Sequence, residues 1–131
     1  MARDHRKLRV FDDSHALVLA IYQSTKDFPK DEWYGLRAQL RRAAVSIPSN
    51  IVEGNARRGT AEYVNFLNIA RGSAGEVAYL IVLAGELGYI DSLAIDSVRR
   101  RCDAVVAQLE ALLTTMGAFL KEERGAAGSR R

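Results

Sequence analysis

The chain predicts an all-α fold: an antiparallel, up-down-up-down four-helix bundle whose second helix is kinked by a proline. Apolar residues recur three and four apart along four long segments, and no period-two alternation competes with them. Stop and turn signals at Phe28-Pro29, Asn55 to Gly59 and Gly88 divide the 131 residues into those four segments. A hydrophobic content of 48% with only two prolines suits helices around one core.

The first helix is expected to start at Asp12, Asp13 or Ser14, all good N-caps, and to end near Asp27, with Leu17, Ala20, Ile21, Val18 and Tyr22 on its apolar side. The second is expected from Pro29 to Asp31 until about Arg57, with Asp31 and Glu32 favoured by the helix dipole. Its stripe runs Trp33, Leu36, Leu40, Ala43, Ile47, and the same stride then lands on Asn50 and Gly54. Pro48 removes an amide and crowds the carbonyl of Ala44, so a kink is expected; a break is the alternative. Continuation of the stride into Ile51 favours the kink.

Thr60 is the expected cap of the third helix, whose seam is Tyr63, Phe66, Ala70, Ser73, Val77, Leu80, Ala84 and Leu87, with Gly88 as its stop. The fourth repeats the alternation at Val98, Cys102, Val105, Leu109, Leu112, Met116 and Phe119. Seams of this length predict coiled-coil-like packing. Gly72 and Gly75 within the third helix predict close helix approach, because together they cost about 2 kcal/mol against alanine. That helix is also apolar on a flank, at Leu67, Ala74 and Ile81, and further round at Tyr79, Val82 and Leu83. A partner subunit over Tyr79, Val82 and Leu83 is the expected cover; a wide core within one bundle is the alternative.

The run from Tyr34 to Gly54, followed by Phe66-Leu67, Ala70 to Ser73, Glu76 and Leu87-Gly88-Tyr89, resembles the 23S rRNA intervening-sequence proteins over roughly residues 12 to 120. Val52 and Ser49 stand where that family commonly has alanine, mild departures that leave the pattern intact. The resemblance implies a four-helix protomer that assembles into a ring-like homo-oligomer, a pentamer. A related group, the accessory variability determinant proteins of retroelements, has that architecture and binds nucleic acid and a reverse transcriptase. Pro48, Asn50, Glu53, Gly54, Ser73 and Glu76 are structural motif positions in this reading.

Charge divides the chain into a basic N-terminal tail (1–11), a bundle (12–121) and a flexible C-terminal tail (122–131). Residues 1–9 carry +3 and residues 121–131 carry +2, which leaves the body between them at −2. The pI near 9.2 therefore belongs to the ends. The longest apolar run, Val77 to Ala84, is eight residues, which predicts no membrane span. The charged N-terminus lacks an apolar h-region, so a cytoplasmic protein is expected.

Enzymatic chemistry lacks its parts. His5 and His15 form no metal-ligand cluster, neither Glu-x-x-His nor a glycine-rich phosphate loop occurs, and no cofactor is expected. Cys102, in the fourth seam, reads as a buried apolar side chain. Asn50 is expected to satisfy carbonyls loosened by Pro48 and Glu53 to pair with Arg57, although a polar pocket is the alternative for both. Arg37 or Arg41 is expected beside Glu76.

Arginine is the remaining signal. Arg37, Arg41, Arg42, Arg57 and Arg58, opposed only by Glu53, make residues 37–58 net +4. A ring would repeat that patch and attract RNA or DNA phosphates without reading sequence. Arg99, Arg100 and Arg101 form a second cluster, diluted by Asp96 and Asp103. A solvated face is the competing explanation for both. The function expected is a non-enzymatic homo-oligomeric scaffold or adaptor contacting nucleic acid through arginine; a module binding a polypeptide partner is the alternative.

Overall fold

The computed structural model describes residues 5–129. Four helices, α1 (His5–Ser24), α2 (Leu36–Asn55), α3 (Thr60–Glu86) and α4 (Ser92–Ser129), form an all-α bundle, with a 3-10 turn at Lys30–Glu32 before α2. Each helix packs along its length on its two neighbours in the cyclic order α1, α2, α3, α4. Gln39 meets Glu76 and Ser46 meets Ser73 across α2 and α3, while Arg6 meets Thr115 and Asp13 meets Gln108 across α1 and α4. In both pairs the residue numbers rise along one helix as they fall along the other.

α1 begins at least seven residues before the expected caps. Val10 is fully buried and extends the stripe Ser14, Leu17, Ile21 backwards by a turn. Ser14 does not cap; its hydroxyl donates back to the carbonyl of Phe11 at 2.9 Å, a bond that a serine within a helix can make. The basic residues of this segment are tied to the bundle: Arg6 donates to Thr115 Oγ1 at 3.1 Å, and Lys7 Nζ lies 4.6 Å from the Tyr63 ring centre. The helix ends at Ser24, three residues earlier than expected. Buried Thr25 closes it by donating to the carbonyl of Ile21 at 2.7 Å.

The second helix starts later than expected because Gly35 leaves helical geometry (φ −103°, ψ −111°). Glu32 turns back to accept from the amide of Leu36 at 3.2 Å, so this acid caps α2 instead of sitting in its first turn. Trp33 therefore lies outside α2, where its indole donates to the carbonyl of Phe28 at 3.1 Å. α2 then runs unbroken through Pro48. Its core stride after Ile47 passes to Ile51 and Gly54, leaving Asn50 half-buried at the edge.

α3 starts at Thr60 with Gly59 as the flanking cap residue, one position from the expected cap. Its buried stripe is wider than the expected seam. Leu67, Ala74 and Ile81 are fully buried in this chain's own core, Phe66 and Ser73 are half-buried, and Leu87 is exposed. Gly88 ends the helix at φ +80°; its amide bonds the carbonyl of Gly85 at 3.0 Å and that of Tyr89 bonds Ala84 at 2.9 Å, the paired pattern of a Schellman stop. Asp91 caps α4 by accepting from the amide of Ala94 at 2.8 Å. α4 continues through the segment read as a C-terminal tail to Ser129, about 57 Å at 1.5 Å per residue. Thr60 donates to Glu123 at 3.1 Å there.

Among the described residues two helices meet the length and composition of a membrane span, Thr60–Glu86 and Ser92–Gly128, each with an 18-residue window of mean hydropathy 1.3. The run-length reading missed them because isolated polar residues break a run without lowering a window average far. The core helix of a bundle meets the same test.

Candidate nucleic-acid interface

The five arginines expected to form one face occupy three different settings. Arg37 is half-buried with its guanidinium 4.5 Å from the Trp33 ring centre. Arg41 points to α1, where it donates to Thr25 Oγ1 at 2.9 Å and to the carbonyl of Tyr22 at 3.2 Å, over the Tyr22 ring. These two guanidiniums serve packing, the role that planar, weakly hydrated arginine fills better than lysine. Arg42, about 100° further round the helix, is exposed over the groove between α2 and α3. Arg57 and Arg58 lie beyond Asn55, about 20 Å along the axis from Arg42 at 1.5 Å per residue. Arg57 pairs with Glu53, as expected, and lies 4.0 Å from Glu62 and over Phe66; Arg58 is exposed. Of the five, Arg42 and Arg58 have no partner among the described residues.

The motif residues assemble a polar seam where α2 meets α3. Asn50 Nδ2 donates to the carbonyl of Ser46 at 2.7 Å and to Ser46 Oγ at 3.0 Å, and the Ser46 and Ser73 hydroxyls hydrogen-bond at 2.8 Å. The carbonyl that Asn50 takes is Ser46's, not the Ala44 carbonyl that Pro48 leaves unmatched. Glu76 accepts from Gln39 at 3.3 Å, so the salt bridge expected from Arg37 or Arg41 does not form. Residues 37 and 41 are each separated from 39 by about 200° of helix, which sends Arg37 to Trp33, Arg41 to the end of α1 and Gln39 towards α3. Gln39, Arg42, Ser46, Ser73 and Glu76 line a groove of about 380 Å³. Sequence reading missed Gln39 and Ser46; the four-residue spacing of Ser46 and Asn50 was the available signal.

Glycine is required at Gly54, where a Cβ would lie 2.9 Å from Phe66 Cβ and 3.1 Å from Tyr63 Cδ1. It is not required by this chain at Gly72 and Gly75. Both are exposed with nothing within 4 Å of a built Cβ, so the expected close approach falls at Gly54 instead. Of the residues expected at an oligomer interface, Tyr79 is 65% exposed, whereas Val82 and Leu83 are half-buried against the chain's own core.

Among the described residues no group of three or more His, Cys, Asp or Glu side chains is placed to hold a metal ion. Cys102 is buried; loss of hydration, and secondarily the charge of Asp103, push its thiol up to about 12. Partial burial, with the Glu32 hydrogen bond and the charges of Glu32 and Asp31, raises the Tyr89 hydroxyl from its ordinary range.

Four long helices around one apolar core and a polar seam between α2 and α3 define the molecule as a four-helix bundle protein. The profile of the 23S rRNA-intervening sequence proteins matches residues 6–111, and the chain belongs to that family. None of the curated proteins compared matches it. A crystal structure of a protein of unknown function from the S23 ribosomal protein family, from Bacteroides thetaiotaomicron, superposes with a TM-score of 0.77 at 24% identity. The match covers 83% of this chain and 98% of that one, and it bears on the fold.

Proposed function

We propose that the chain is a non-enzymatic, homo-oligomeric scaffold or adaptor that contacts the backbone of RNA or DNA through arginine. The observation that carries this reading is the availability of Arg42 and Arg58: both are exposed on an arginine-rich segment of an otherwise acidic body, and neither has a partner among the described residues. Counterion release makes such contacts salt-sensitive and indifferent to sequence. Anisotropy titration of a fluorescent mixed-sequence RNA tests it. Replacing Arg42 and Arg58 with glutamine is expected to weaken binding and flatten its salt dependence; affinity equal to wild type would sink the reading. Replacing Arg41 is expected to cost stability instead, since its guanidinium bridges α1 and α2.

Self-association, with the pentamer as the expected multiple, is supported by the outer strip of α3. Ala61, Asn65, Asn68, Gly72, Gly75 and Tyr79 follow one another four and three apart, all exposed and all uncharged. A partner helix on this strip would offset what the two glycines cost.

A second reading, a module that binds a polypeptide, is favoured by Tyr34 and Leu93, which are 93% and 81% exposed in the connections before α2 and at the start of α4. Recovery of one protein partner after nuclease treatment, with no RNA binding, would select it.

A further inference from the structure

A second concavity lies between α1 and α4, away from the α2 arginines. It measures about 360 Å³ and is lined by Asp13, Ser97, Arg100, Arg101 and Ala104. The four α4 residues lie on one side of that helix, at spacings of three and four. Ala104 is the smallest side chain of the lining. Neither Arg100 nor Arg101 has an acid partner among the described residues, and both are exposed.

Of the side chains that line the cleft, two are cationic and one, Asp13, is acidic. Asp96 and Asp103 do not line the cleft, although at four residues before and three after Arg100 they flank that arginine on the helix surface. Asp13 is already engaged: its Oδ2 accepts from Gln108 Nε2 at 2.6 Å and lies 3.9 Å from Arg9 Nε. Two forked guanidiniums and a hydroxyl over a small-residue floor suit a tetrahedral oxyanion, with arginine supplying paired N–H donors.

We propose that this cleft is a phosphate-binding site, formed by Arg100, Arg101 and Ser97. The site deepens the nucleic-acid reading and rests on it for one of two phosphate sources: a nucleic-acid backbone or a free phosphate group. It moves part of the contact surface from α2 to α4.

Arginine Nε–H NMR signals of the full chain are followed as inorganic phosphate is added. Arg100 and Arg101 are expected to shift saturably at concentrations that leave Arg71 and Arg124 unmoved; movement of all four together overturns the cleft. In parallel, RNA anisotropy compares Arg100→Gln/Arg101→Gln with Arg71→Gln/Arg124→Gln, the same charge change elsewhere. The first pair is expected to flatten the log–log salt slope by roughly 0.7 for each phosphate no longer neutralised, and the second to leave it unchanged. Selective phosphate shifts with equal slopes in the two variants assign the cleft to free phosphate. Selective shifts in a wild-type chain that binds no RNA keep the cleft and remove the nucleic-acid reading; RNA binding with neither selectivity does the reverse. Asp13→Asn gives a second variant pair with Asp12→Asn: only loss of the Asp13 charge is expected to tighten phosphate binding, and equal effects overturn the site.

Discussion

Gly54 is where a single atom separates two helices. A methyl there would meet Phe66 Cβ, which is fixed to the α3 backbone, so α2 and α3 must move apart to admit it. Gly54→Ala is therefore expected to destabilise the bundle by about 1–3 kcal/mol in denaturant melts, despite alanine's better helix propensity. Asn50 acts through Ser46, and the two hydroxyls link it to α3. Truncating Asn50 to alanine is expected to cost about 1 kcal/mol, the net value of a hydrogen bond, with a non-additive cycle against Ser46→Ala. Cys102 should resist thiol reagents in the native state at pH 8 and react on unfolding. Its raised ionisation has a definite linkage sign: the unfolded thiol ionises from 9.0 and the folded one only near 12, so unfolding is favoured increasingly as pH rises between those values. A Cys102→Ala variant should lose less stability over that window than wild type does.

At the scale of an element, α2 shows why charge read along a chain does not give a surface. Arg37, Arg41 and Arg42 are neighbours in sequence, yet helical phase sends the first two to Trp33 and α1 and the third to the groove beside α3. α3 shows the same separation for apolar residues: its flank of Leu67, Ala74 and Ile81 fills the chain's own core, and its uncharged outer strip remains. Gly72→Ala/Gly75→Ala is expected to raise the helix stability of the protomer by up to about 2 kcal/mol, because nothing in the chain crowds either position. If the strip meets a second copy, the same variant lowers the subunit count in light scattering while its protomer remains folded. An unchanged count would place the interface elsewhere.

For the whole molecule, net charge conceals a polarised distribution. Arg6 and Lys7 are bound to the end of the bundle where Tyr63 and Thr115 lie, while Asp31, Glu32, Glu86 and Asp91 belong to the opposite end. Light scattering at two salt concentrations, with and without RNA, addresses assembly and ligand together. A multiple near five with salt-sensitive binding supports both halves of the proposed function. A stable oligomer that ignores RNA leaves the scaffold alone, and a monomer removes the role assigned to the α3 strip.

The four helices, most of the core and the Gly88 stop were legible in the sequence because they depend on periodicity and on local backbone preference. Leu17, Leu40, Val77, Leu109 and the glycine stop needed no knowledge of what they would meet. The start of α1 was misread, since Asp12, Asp13 and Ser14 are caps only where a helix begins, and the packing of Val10 lets it begin earlier. The start of α2 depended on Glu32 turning back to Leu36, and the use of each arginine on which helix stood beside it. Those are properties of neighbours in space: helix phase converts one residue of sequence into about 100° of direction, and packing alone decides what lies in that direction.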